Sequence, residues 1–229
     1  MNLIGLHRDA AHVGVIGALL ARAIARLQQW LGIHIFRVNL RVLPRHPVEP
    51  APPEGIRLCP LRLEDLLQAS ADPELGLEPD FIRTALANGD LVVGAFEGDR
   101  VVGFLWRSVI AAPFYEDLWV RIGPHHHYAY KSFVRPSHRG MRIHIALARL
   151  ADKHSVEKGC TGEIGFANIA NVASLGAARS LGRRRIGYAG YVMLFGHSVS
   201  FRTPAVRDLG FVIFRPEAPV TVGLVPAQG

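Results

Sequence analysis

YAYKSFVRPSHRGMRIHIALARLADKHSVEKG runs from Tyr128 to Gly159. Its first part, Tyr128 to Val134, is rich in aromatic and β-branched residues and suits a strand. Pro136 has no N–H to donate and stops sheet pairing. Ser137 to Gly140 is a short polar turn. From Met141 the apolar period changes: Ile143, Leu147 and Leu150 recur at helical spacing, with Ala146 and Ala151 beside them. Gly159 is a suitable C-terminal stop. The stretch predicts strand, tight turn, helix. That turn aims the N–H groups of a helix N-terminus out of the end of a strand, which attracts phosphate, and Arg139 and Arg142 sit in it.

Val134-Arg135-Pro136, then Arg139-Gly140, then an amphipathic helix, resembles the pyrophosphate-binding segment of the GNAT N-acetyltransferase superfamily. That family carries V-x-P on its fourth strand, followed by [RQ]-x-x-G-x-[GA], whose backbone amides hold the pyrophosphate of acetyl-CoA. Arg139 matches the first position of the second motif. Arg142 stands where the family has Gly, and His144 where it has Gly or Ala. Further on, Glu163 to Ala167 reads as a strand. Asn171 to Ser174, Leu181 and Gly182 stand in register with the family's N-x-x-[AS], helix, Leu-Gly-Phe pattern, with Arg183 in place of the Phe. The resemblance covers roughly the last three-quarters of the chain.

The resemblance implies an α/β (α+β) fold: a mixed, mostly antiparallel central sheet flanked by helices, here with an N-terminal helical extension. It implies direct acyl transfer from acetyl-CoA or another acyl-CoA to a small-molecule amine acceptor, with no metal. The segments it assigns to the cofactor are Phe133, Val134, Arg135, Arg139, Gly140, Met141, Arg142, Ile143, His144, Asn171 and Ser174. A backbone N–H near Phe133 to Arg135 would polarise the thioester carbonyl. Acid or base side chains on this strand often serve the amine, which points to Tyr128 and Tyr130; packing in a half-buried sheet is their other use. The family's usual acid, a Tyr on the helix after N-x-x-[AS], falls at Ala178. Tyr188, Tyr191 and His144 are then the candidate acids, and Glu116, Asp117 and Glu163 the nearest carboxylates.

The 229 residues suffice for one domain with an extension, and 49% of them are hydrophobic. Net charge is +7; only Lys131, Lys153 and Lys158 are lysines, leaving 23 arginines. An anionic partner fits this balance: the phosphates of CoA, an acidic carrier protein or an anionic membrane. No basic run is interleaved with aromatics, so nucleic acid is not expected. Arg183-Arg184-Arg185 is either a solvated turn or a contact for the 3′-phosphate of CoA or an acidic carrier. Cys59 and Cys160 make no disulfide framework or metal site, and a reduced, cytoplasmic setting is the default. Adjacent strand residues face opposite ways, so His125, His126 and His127 read as a solvated strand entrance rather than a metal site.

Val13 to Leu31 is strongly apolar but interrupted by Arg22 and Arg26, too short before them to cross a bilayer and without a cleavage site. Val15, Leu19, Ala23 and Leu27 share one side of a helix, with Ile16, Leu20, Ile24 and Leu31 alongside. The expected use is packing on the domain or on a second copy, a homodimer through this helix. The alternative is a peripheral membrane contact. Ile33 to Leu43 alternates like a strand, and prolines 44 to 53 make a stiff linker. The expected division is residues 1–53 as helix, strand and linker, and 54–229 as the acyltransferase domain. There, 56–61 predicts a strand, 64–71 and 79–88 two helices, and 91–110 a hairpin. Strands follow at 186–195 and 209–214, around a long loop at 197–207. Two further functional readings remain: an acyl-carrier-protein donor, or a non-catalytic module that keeps the fold.

Overall fold

The structure is a computed structural model that describes residues 19–28, 30–115, 118–172, 174–175, 178, 182–195 and 197–216. The chain forms two compact units, one of Met1–Arg41 with Ile164–Phe214, the other of Val42–Glu163 with Arg215–Gly229. The fold is mixed α+β, and its strands pair mostly antiparallel, flanked by helices.

In the second unit β2 (Ile56–Pro60), β3 (Leu91–Glu97), β4 (Arg100–Ser108) and β7 (His126–Val134) are hydrogen-bonded in the order β7-β4-β3-β2. β3 and β4 are buried on both faces, so they read as nearly unbroken apolar runs. Helices α2 (Leu63–Ala69) and α3 (Pro79–Ala87) cover one face, with Leu66, Phe81, Ile82, Phe104 and Trp106 in the shared core. α4 (Ile143–Glu157) covers the other, burying Ile143, Leu147, Leu150 and Ala151 against Val93, Val102 and Leu105. Gly103 sets how closely α4 approaches: a Cβ there would lie 3.0 Å from the Phe133 carbonyl oxygen and 3.4 Å from Ile143. A second hairpin, β5 (Ala111–Tyr115) with β6 (Leu118–Arg121), sits where none was predicted.

In the first unit β1 (Ile33–Val42) pairs antiparallel with β9 (Arg184–Leu194), Ile33 opposite Val192 and Asn39 opposite Arg185. β8 (Gly162–Asn168) flanks β1. The loop expected at 197–207 is instead a strand, β10 (His197–Arg202), paired with β9, and a short helix, Pro204–Asp208. Val199 and Phe201 carry its alternation, and serines between them masked it. The last strand is only Val212–Phe214, β11.

Residues 19–28 and 30–31 are helical, α1. Of the two expected uses of the apolar side of α1, packing on the domain and packing on a second copy, the first does not occur: Leu19, Leu20, Ile24 and Leu27 are exposed in the single chain. Among the described residues no helix is long and apolar enough to cross a membrane.

Candidate active site

The turn that decides the fold leads into the N-terminus of α4. After β7 the chain makes a 3-10 turn at Pro136–His138, and α4 begins at Ile143. Between them Gly140 has φ +89° and Arg142, the N-cap of α4, has φ +61°. The left-handed conformation that favours glycine is thus retained at Arg142, the position where the family motif has Gly. The first intrahelical bonds run from the N–H of Ile145 and Ala146 to the Arg142 carbonyl, so the N–H groups of Ile143 and His144 precede them and point off the helix end. The Ile143 side chain is buried in the core beneath α4. No acidic residue occupies the first turn of α4, and Arg139, Met141, Arg142 and His144 are exposed around it. A helix N-terminus with two exposed arginines and no carboxylate is suited to an anion.

Arg135 is used inside the protein. Its backbone N–H donates to the Val102 carbonyl at 2.9 Å and its Nε to the Val101 carbonyl at 2.8 Å. Its remaining guanidinium nitrogens bind Asp72 and Glu74, and the side chain is 2% exposed. It therefore fastens the loop after α2 to the end of β7. Arg135 first, through its hydrogen bond, holds the Asp72 carboxyl below the usual range. Phe133 stacks on Phe104 with ring centroids 5.8 Å apart, and Val134 packs on the α4 side.

Tyr130 is half-buried and donates its hydroxyl to Asp90 Oδ2 at 2.7 Å. Asn88 Nδ2 donates to Asp90 Oδ1 at 2.9 Å. Burial raises the Asp90 pKa above its ordinary value despite these donors, and burial together with Asp90 raises that of Tyr130. Asp90 was missed from the sequence; it stands just past the Asn88-Gly89 stop, which read only as a helix end. Tyr128 is buried, its ring 6.2 Å from that of Tyr130, and burial pushes its phenol well up. That position suits packing rather than contact with a substrate.

The solvated-entrance expectation fails for His127, which is 0% exposed. His125 is exposed and His126 partly buried. His127 meets Arg107, whose Nη2 lies 3.0 Å from Asp152 Oδ1 and whose Nη1 lies 3.8 Å from Glu163 Oε2. Ligand atoms of His127, Asp152 and Glu163 lie within 4.8 Å of one another, a spacing that could hold a metal ion. The Arg107 guanidinium stands among them and supplies the cationic charge. Glu163 is thereby tied into a buried ion-pair network, away from a base's role. Glu116 and Asp117 lie outside the described residues.

In the first unit, Asn171 Oδ1 accepts from the Ser174 N–H at 3.0 Å, and the Asn171 carbonyl from the Leu175 N–H at 3.1 Å. Asn171 thus caps the helical turn that follows it. Ala178, where the family's Tyr would stand, is buried. Tyr188 receives a hydrogen bond at its hydroxyl from Arg185 Nη1 at 3.3 Å. Beside it a cavity of about 290 Å³ is lined by Arg37, Asn39, Arg183 and Arg185. The Arg183 guanidinium lies over Gly165, where a Cβ would come within 3.3 Å of it. Three guanidinium groups around one opening suit a phosphate or a carboxylate.

Residues 60–182 match the family described as Acetyltransferase (GNAT) family, more than half of the chain. The protein belongs to the GNAT acetyltransferase family. Several solved structures resemble it. A GCN5-related N-acetyltransferase from Sphaerobacter thermophilus is 16% identical with a TM-score of 0.48, over 73% of this chain and 54% of that one, so the chain spans about half its length. The aminoglycoside acetyltransferase meta-AAC0020 from an uncultured soil metagenomic sample, in complex with sisomicin, is 18% identical with a TM-score of 0.41, over 55% and 86% of the two chains. The aminoglycoside antibiotic 6'-N-acetyltransferase AAC(6')-IG from Acinetobacter haemolyticus is 22% identical with a TM-score of 0.40, over 55% and 89%. No curated protein matches the chain.

Proposed function

We propose that the protein transfers an acyl group from an acyl-CoA thioester directly to a small-molecule amine. The observation that carries this reading is the opening of α4, with left-handed Gly140 and Arg142, exposed Arg139 and no first-turn carboxylate. Backbone N–H groups and the helix dipole there would take the pyrophosphate, with Arg139 and Arg142 pairing its charge. Tyr130 precedes Val134 by four residues on the same strand, about 13 Å. That is the order of length of an extended pantetheine arm, so phosphates at the turn would bring the thioester toward Tyr130.

The chemistry then needs one C–N bond formed and one C–S bond broken. The amine nitrogen attacks the thioester carbonyl carbon and must shed a proton. Tyr130 accepts that proton as its own passes to Asp90, whose raised pKa favours receiving it. The departing thiolate takes a proton from water. Holding donor and acceptor together supplies much of the rate, so no dedicated acid is required at Ala178.

Calorimetry with CoA, acetyl-CoA and a longer acyl-CoA tests the donor half. Micromolar binding by the wild type, weakened about tenfold in Arg139→Ala, is expected. Absence of binding by the wild type would sink the reading. The donors' ranking would set the acyl length.

A further inference from the structure

We propose that one edge of the first unit, made by α1 and the tip of the β9–β10 hairpin, docks on an anionic lipid bilayer surface. The two elements adjoin. Gly32, at the start of β1, accepts a hydrogen bond from the Met193 N–H at 2.8 Å, and Ile33 stands opposite Val192. The end of the helical segment therefore lies beside the turn of the hairpin.

Both elements present apolar side chains outward. On the helical side, Leu19, Leu20, Ile24, Leu27 and Leu31 are exposed, and Trp30 is 82% exposed. On the hairpin, Met193, Leu194 and Val199 are exposed, and Phe195, at φ +48°, is 100% exposed. At about 100° per residue, Leu19, Leu20, Ala23, Ile24, Leu27 and Trp30 fall on a single arc of α1. Arg22 and Arg26 border that arc on one side, and buried Gln28 borders it on the other. A helix so disposed holds its apolar arc away from its own unit. Contiguous exposed apolar surface of this kind marks an interaction site.

Charge decides the occupant. The unit carries eleven arginines, no lysine and two aspartates, a net of +9. The other unit carries fifteen basic and seventeen acidic residues, a net of −2. The whole positive excess of the chain, +7, therefore resides in the unit that bears the apolar edge. No Asp or Glu occurs in residues 10–41 or 164–207. A second copy would bring the Arg22 and Arg26 of each edge together with no carboxylate in either stretch to offset them. An acidic protein would meet the charge but would need its own apolar bed for Trp30 and Phe195. A bilayer with anionic headgroups offers both: an acyl boundary for the aromatic and aliphatic groups, and phosphates for Arg22 and Arg26 at the border of the arc.

The test uses the full chain and vesicles of phosphatidylcholine and phosphatidylserine at roughly 7:3, with phosphatidylcholine alone as control. Flotation with the anionic vesicles, at least tenfold stronger than with the control and weakened by salt, is expected. A blue shift of tryptophan emission should accompany it. The doublet Trp30→Ser with Phe195→Ser alters only exposed side chains and should weaken binding at least tenfold, as should Arg22→Glu with Arg26→Glu. Circular dichroism and thermal unfolding of each variant check that the fold is kept. No flotation by the wild type overturns the proposal, as does binding unchanged by both doublets. So does a concentration-dependent dimer, abolished by the Trp30/Phe195 doublet, in a protein that ignores the vesicles.

Discussion

Tyr130 and Asp90, 40 residues apart in sequence, share a hydrogen bond of 2.7 Å. Burial raises the Asp90 pKa above its ordinary 3.8. A raised carboxyl pKa means the folded protein holds that proton more tightly than the unfolded chain does. The stability it contributes is fully present below the unfolded value and is lost as pH rises through the folded one. Asp90→Asn removes that loss. Urea unfolding from about pH 4 to about pH 7 should show the wild type losing stability relative to the variant as pH rises. A difference that stays flat would refute the burial account.

Tyr130→Phe bears on chemistry as well as stability. It removes the donor that steadies ionised Asp90 and should cost about 1–3 kcal/mol at neutral pH. If the proton relay operates, kcat with an accepted amine should fall about 100-fold while acyl-CoA affinity stays within twofold. Unchanged turnover in a folded variant would assign Tyr130 to structure alone.

Arg107 is the counter-cation of a buried cluster whose acids, Asp152 and Glu163, have almost no exposure. Arg107→Met takes the guanidinium away from both buried carboxylates, and a loss of about 3–5 kcal/mol in denaturant unfolding is expected. Replacing Asp152 and Glu163 by leucine in the same variant should restore most of it, since no charge then remains buried without a partner. A triple variant as unstable as Arg107→Met would show that the cluster's worth lies in packing.

These pairings explain which features were legible in the sequence. The period change at Met141 located α4 to within two residues, because amphipathic spacing is a local signal. Strand β1 was legible as an alternation, but its place beside β9 was not, because that pairing joins residues about 150 positions apart. His127 looked solvated among its neighbours because the groups around it, Arg107, Asp152 and Glu163, come from β4, α4 and β8. Asp90 carried no signal of its own, since its function depends on a tyrosine in a distant strand. The short strands β5, β6 and β10 were hidden by Pro113 and by serines that look like loop residues. The motif turn is legible only in part, because Arg142 conceals the glycine-like backbone beneath it.

That backbone yields a last prediction. Arg142 holds φ +61°, a conformation that costs an L-residue roughly 1–2 kcal/mol and glycine almost nothing. Glycine also loses about 0.5–1 kcal/mol to its greater freedom in the unfolded chain. Arg142→Gly should therefore raise stability by a few tenths to about 1 kcal/mol in chemical unfolding. Its effect on ligand binding runs the other way. The Arg142 side chain is exposed at the mouth of the phosphate turn, and its loss should weaken CoA binding by about tenfold, as a guanidinium–phosphate pair would. A gain in both stability and affinity would mean instead that the side chain crowds the turn, and that closer approach of phosphate to backbone outweighs the lost charge.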